Sequence, residues 1–148
     1  MELKVYLSGE IHTDWRDQIV KASKENDLPI QFFTPTTDHA ASDDAGDVLG
    51  AEEKQFWKDH KSAKINTIRN KHGLEQADVV IIKFGEKYRQ WNAAFDAGYA
   101  AAFGKSYIVI HPEEFNHALK EVDAQAMAVA RQPEETIEIL KYLTKDYY

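Results

Sequence analysis

Val79-Val80-Ile81-Ile82-Lys83-Phe84, then the polar stretch Gly85 to Arg89, then Gln90-Trp91-Asn92-Ala93-Ala94-Phe95-Asp96-Ala97-Gly98-Tyr99 through Phe103, decides the fold. The first piece is a continuous apolar run broken only by Lys83, and it suits the buried centre of a sheet. The last piece is Ala-rich and helical, with Gly104 as its natural C-terminal stop. In its middle stands Asp96, with no cation three or four residues away. A carboxylate among apolar neighbours is costly unless something pairs with it or needs it. Asn92 lies one turn earlier and projects from the same side.

Outward from this unit, strand and helix signals alternate. Leu3 to Leu7 alternates and ends at Ser8-Gly9; Thr13 and Asp14 are N-cap candidates for a helix carrying Trp15, Ile19, Ala22 and Ser23. Pro29 precedes a short strand, Ile30 to Phe33. Thr34 to Gly50 reads as a loop, long enough to suggest a functional role. Ala51 to about Gln76 is one long helix or two, with Gly73 ending a piece or marking a kink. Tyr107 to Ile110 is a strand, Glu113 to Val122 a helix, Ala126 to Ala130 a weak fifth strand, and Pro133-Glu134-Glu135 opens a last amphipathic helix. The pattern predicts an α/β chain: a Rossmann-like or flavodoxin-like three-layer sandwich, with a mostly parallel five-stranded sheet and helices on both faces.

At 148 residues, 43% hydrophobic and 29% charged, the chain has the size and composition of one soluble domain spanning 1–148. A formal net charge of -7 argues against nucleic-acid binding, which needs a basic face. No run reaches the roughly 20 apolar residues of a membrane helix, and the N-terminus enters a strand pattern directly, so neither membrane nor signal peptide is expected. The absence of cysteine removes disulfides and thiolate chemistry. The expected compartment is the cytoplasm.

Ligands of such sheets bind beyond the strand carboxyl ends, at a switch in strand order. That rule selects Ser8-Gly9-Glu10-Ile11-His12, the segment from Thr34 with Asp38 and His39, and Phe84 to Asn92 with Gly85 near its head. There is no G-x-G-x-x-G and no G-x-x-x-x-G-K-[ST], which weakens dinucleotide and P-loop readings. Asp38, His39, Asp43, Asp44 and Asp47 match neither an EF-hand nor a zinc spacing, so a solvated acidic loop is expected and no metal. Lys58, His60, Lys61, Lys64 and Arg69 read as a solvated basic face; His111 and His117 show no partner in the pattern. Tyr6, if buried, needs a partner for its hydroxyl, and a phenol reaching Asp96 would satisfy both groups.

Leu3 to Ile11, Ala77-Asp78-Val79-Val80, Trp57-Lys58-Asp59-His60-Lys61 and Gln90 to Lys105 together resemble the nucleoside 2-deoxyribosyltransferases and their nucleotide N-hydrolase relatives, in particular the YtoQ-type branch, over nearly the whole chain. The resemblance implies cleavage or transfer of an N-glycosidic bond through a covalent glycosyl-enzyme. It makes Asp96 the nucleophile, with Tyr6 orienting it. Ser8, Gly9, Glu10 and His12 would line the sugar or phosphate end, and Trp91 would stack on the base. It implies a small-molecule nucleoside or nucleotide as partner, no cofactor, and a homo-oligomer, for which the tail aromatics Tyr142, Tyr147 and Tyr148 offer surface.

Two positions depart from the family pattern. Asp96 stands where glutamate is usual, which retracts the carboxylate by about 1.5 Å; a misplacement of about 1 Å can cost on the order of 100-fold in rate. Arg69-Asn70 stands where relatives carry Arg-Asp, and an amide supplies no titratable proton to the leaving base. Asp78, Asp38 or His39 would then take that role, or the leaving group differs, or the chain is a non-catalytic nucleotide-binding or sensing module.

Overall fold

The computed structural model describes residues 2–146; Tyr147 and Tyr148, expected to offer contact surface, lie outside the described residues. Five strands, β1 (Leu3–Gly9), β2 (Ile30–Phe33), β3 (Val79–Lys83), β4 (Ser106–Ile110) and β5 (Ala128–Ala130), pair in parallel in the order β2-β1-β3-β4-β5. This is the flavodoxin-like order, and its reversal lies between β1 and β3. Around the sheet stand α1 (Trp15–Glu25), α2 (His39–Asp43), α3 (Gln55–Gln76), α4 (Trp91–Ala102), α5 (Lys120–Gln125) and α6 (Pro133–Leu143).

Strand periodicity splits the core into two layers. Val5, Leu7, Ile81 and Ile110 pack with Trp15 and Ile19 of α1 and with Ile137 and Leu140 of α6. Tyr6, Val80, Ile82, Tyr107 and Val109 face the other way, against Leu74 of α3 and Ala93, Ala97 and Ala100 of α4. Each fully buried large side chain contributes about 1.5–3 kcal/mol, so apolar burial fastens both layers. The small α4 alanines let that helix lie close to the sheet, which brings Asp96 towards β1.

Three elements differ from their sequence expectation. Gly73 does not end α3, which is continuous to Gln76. A Cβ at Gly73 would lie 2.5 Å from the Tyr6 ring, so the glycine is a seat for that ring. The Thr34–Gly50 loop contains α2 and a 3-10 turn, Asp47–Leu49. Glu113 to Val122 is not one helix but a 3-10 turn, Glu113–Phe115, followed by α5. Asn116 is a weak helix former, and its side-chain oxygen accepts from Arg131 at 2.8 Å. The α4 stop is as expected: Gly104 has φ +67°, and Gly104 N–H and Lys105 N–H donate back to Ala101 and Ala100.

Candidate functional site

The turn leaving β1 is closed by its own side chains. Gly9 has φ +104°, and a Cβ there would sit 2.1 Å from the Lys83 carbonyl oxygen, so β1 and β3 run together only with glycine at this place. Glu10 is buried and folds its carboxylate onto the start of the next helix. It accepts from the His12 amide, from the Thr13 amide at 2.7 Å and from the Thr13 hydroxyl at 2.6 Å. Burial raises its pKa, but these bonds and the nearby Lys83 charge outweigh that and hold the carboxyl below its ordinary value.

Arg16 sits beneath the same turn. Its buried guanidinium donates to the carbonyls of Leu7, Gly9 and Glu10, and it lies 4.6 Å from the Trp15 ring. Trp15 Nε1 donates to the Glu10 carbonyl as well, at 2.8 Å. Desolvation lowers the Arg16 pKa to about 10, which leaves it charged at neutral pH. The pattern reading passed over Arg16. The available signal was a cation in a helix's first turn, where the dipole disfavours one.

Asp96 projects from α4 towards β1, 9% exposed, and accepts from the Ser8 hydroxyl at 2.5 Å. Burial raises its pKa, and the Ser8 bond partly opposes the rise. The bond expected from Tyr6 is made by Ser8 instead, two residues along the same strand face. The Tyr6 hydroxyl is buried with no hydrogen-bond partner among the described residues, its ring being seated over Gly73. Burial, and then the charge of Asp96, push the Tyr6 phenol well above its ordinary pKa.

Asp96 lies on a cavity of about 360 Å³ between α3 and α4. Its walls carry three carboxamides, Asn66, Asn70 and Asn92, with Leu74, Phe95 and Tyr99. Asn92 also lines a cavity of about 590 Å³ over the sheet's carboxyl edge, with Gly9, Glu10, His12, His39 and Arg89. Asn92 therefore stands in the lining of both cavities.

The other candidates divide between sharing these cavities and being placed elsewhere. His12 packs its ring 4.7 Å from Tyr88, and His39 pairs with Asp43 at 3.0 Å. Asp38 accepts from the Ala41 amide as the α2 N-cap. Asp78 is at the opposite end of the sheet, before β3, where it accepts from the Lys4 amide at 2.8 Å; strand direction removes it from the carboxyl edge. Trp91 is 74% exposed and lines a different cavity, with Phe115 and Leu119. Gly85 makes room for Glu10, since a Cβ there would lie 2.4 Å from Glu10 Cγ.

Lys58 and Lys61 are not simply solvated. Lys58 pairs with Asp44 at 2.8 Å, and Lys61 pairs with Glu52 and reaches the Gly50 carbonyl. Arg69 donates to the Thr34 carbonyl at 3.1 Å. His111, given no partner from sequence, is buried with Nε2 2.9 Å from Asp123. Among the described residues no group of three or more His, Asp or Glu is arranged to hold a metal, and no helix is long and apolar enough to cross a membrane.

Comparison with known proteins agrees with this architecture. The protein YtoQ of Bacillus subtilis (strain 168) is 43% identical over 144 residues, covering 97% of each chain. Among solved structures, a conserved protein from Enterococcus faecalis V583 superposes with a TM-score of 0.63 at 14% identity, covering 97% of this chain and 99% of that one. A 2-deoxyribosyltransferase from Bacillus psychrosaccharolyticus superposes with a TM-score of 0.57 at 17% identity, covering 97% and 93%. At such identities these two likenesses concern the fold. A family model matches residues 6–144, and with it the chain belongs to the family described as nucleoside 2-deoxyribosyltransferase YtoQ.

Proposed function

We propose that this protein cleaves or transfers the N-glycosidic bond of a deoxynucleoside or deoxynucleotide, with Asp96 as nucleophile. The observation that carries the reading is a mostly desolvated carboxylate bonded to one hydroxyl, Ser8, and lining a cavity walled by amides and aromatic rings. Asp96 Oδ attacks C1′ and forms an acylal ester, while the C1′–N bond breaks and its electron pair leaves with the base. In the second step a new base nitrogen, or water, attacks C1′. The ester C–O bond breaks, the carboxylate is regenerated, and the attacking group releases its proton. Two inversions give net retention.

Asn66, Asn70 and Asn92 supply donors and acceptors suited to a base edge. Hydrogen bonding by Asn70 to the departing base takes the place of protonation by an acid, which suits bases that leave as stabilised anions. Exposed Phe56, Trp57 and Phe95 support a homo-oligomer, to be read as mass by light scattering; a monomer would remove that part.

Incubation with a 2-fluoro-2-deoxy nucleoside panel followed by intact mass spectrometry tests the reading. A sugar adduct on the wild type that is absent in Asp96→Ala is the expected result. A second reading, binding without catalysis, is favoured by Asn70 in place of an acid and by Asp78 at the far end of the sheet. Binding without an adduct or base release would select it.

A further inference from the structure

β1 outruns the strand beside it. It pairs with β2 only as far as Tyr6 and Phe33, whereas its pairing with β3 runs on to Gly9 and Lys83. Leu7 and Gly9, two residues apart, turn their carbonyls to the edge that β2 leaves open. Continued in the same register, the donor to the Leu7 carbonyl would be the amide of residue 35, which is proline and has none. The chain instead departs towards α3, where the Thr34 carbonyl accepts from Arg69. Buried carbonyls left without donors are costly. Arg16 supplies the donors: Nε to Leu7 and Nη2 to Gly9, each at 3.1 Å, and Nη1 to Glu10. A planar fork of N–H groups can bridge the carbonyls on both sides of one residue, and that residue is Ser8.

We propose that Arg16 is a positioning residue for Asp96: it stands in for the missing strand at the open edge of β1 and so fixes Ser8 where its hydroxyl donates to the Asp96 carboxylate. The inference rests on the glycosidic reading of the site and adds to it a residue that touches neither substrate nor nucleophile. Among the described residues the Ser8 hydroxyl is the donor that reaches the Asp96 carboxylate, at 2.5 Å. Its backbone is what the fork holds, from the carbonyl before it and the carbonyl after it. Tyr6, Glu10 and Asp17 are the titratable groups that act on the Arg16 charge. Asp96 is governed by its burial and by the Ser8 bond. The link from Arg16 to Asp96 therefore runs through the placement of Ser8 and not through charge.

The test reads the Asp96 carboxyl directly, by carbon-13 NMR titration of the full chain labelled at aspartate, with Asp96→Asn to assign the signal. Arg16→Met and Arg16→Lys are each made alone and together with Ser8→Ala; lysine keeps the charge but cannot span two carbonyls. Tyr6, Lys71 and Tyr99, the other titratable groups around Asp96, stay in place throughout. With Ser8 present, both substitutions should move the Asp96 pKa upward, the direction expected of Ser8→Ala. They should also lower kcat for base release by about tenfold with KM little changed. In the Ser8→Ala background neither should move the pKa further, since the two residues act as one unit. An equal move in both backgrounds would mean that Arg16 acts on Asp96 without Ser8, and no move with Ser8 present would mean that Ser8 needs no support. Either result overturns the proposal, as does failure of both variants to fold by circular dichroism. An Asp96 sugar adduct without this coupling refutes only the Arg16 inference; the coupling without adduct or base release refutes only the glycosidic reading.

Discussion

The β1 turn and the α3–α4 cavity are adjacent and built on opposite terms. In the turn, the Glu10 carboxylate, the Trp15 indole and the Arg16 guanidinium each bond to the backbone around the end of β1. Across the strand, among the described residues, the Tyr6 hydroxyl has no partner and the Asp96 carboxylate accepts from Ser8. A densely bonded network holds its shape whether or not a ligand is present, whereas a sparsely bonded carboxylate lining a cavity gains most when a ligand supplies what it lacks. Rigidity is concentrated where the sugar would be placed, and free bonding capacity where bonds would break.

The sharpest way to break this contrast is Asp96→Ala. It should lower base release by about 1000-fold or more while leaving the fold intact, because the change removes the atom proposed to react; a steady-state assay against a nucleoside panel reads it. On the rigid side, Arg16→Met should cost about 3 kcal/mol in urea unfolding, since three carbonyls lose a charged donor. Gly73→Ala places a Cβ 2.5 Å from the Tyr6 ring and should cost about 2 kcal/mol by overpacking.

Ser8→Ala should have the smallest effect, roughly tenfold in kcat/KM, and should also move the acid limb of the pH profile. A carboxylate in the nucleophilic role proposed for Asp96 works ionised, so activity should fall as pH drops through the Asp96 pKa. Burial already raises that pKa, and the Ser8 bond is what opposes the rise. Removing it moves the limb to higher pH. A limb that stays in place would mean that Asp96 does not govern it.

The sheet was legible because Val79 to Phe84 is an almost continuous buried apolar run, and because Gly104 after α4 and Pro133 at the start of α6 punctuate the helices around it. The Asp96 position was legible for a different reason: a lone acid in an Ala-rich helix violates the pattern around it. The partners of Asp96 were not legible. Tyr6 and Ser8 share one strand face, and the choice between them depends on Gly73 drawing the Tyr6 ring onto α3, a contact that spans 67 residues of sequence. Asp78 misled because closeness in sequence to β3 does not say which end of the strand a residue occupies. The role of Arg16 emerges only from carbonyls brought beneath it by the turn, and side-chain spacing carries no record of those.

The stapling of the Asp38–Gly50 segment has a mechanical result. Ser62 donates to the Asp43 carbonyl and accepts from Gly46, Asn66 grips Ser42, and the lysine pairs fasten the flanks, all from α3. His39 and Asp43 form one wall of the larger cavity. That wall therefore travels as a rigid panel bolted to a 22-residue beam, and any widening from its side has to tilt the whole beam or shear those fastenings together.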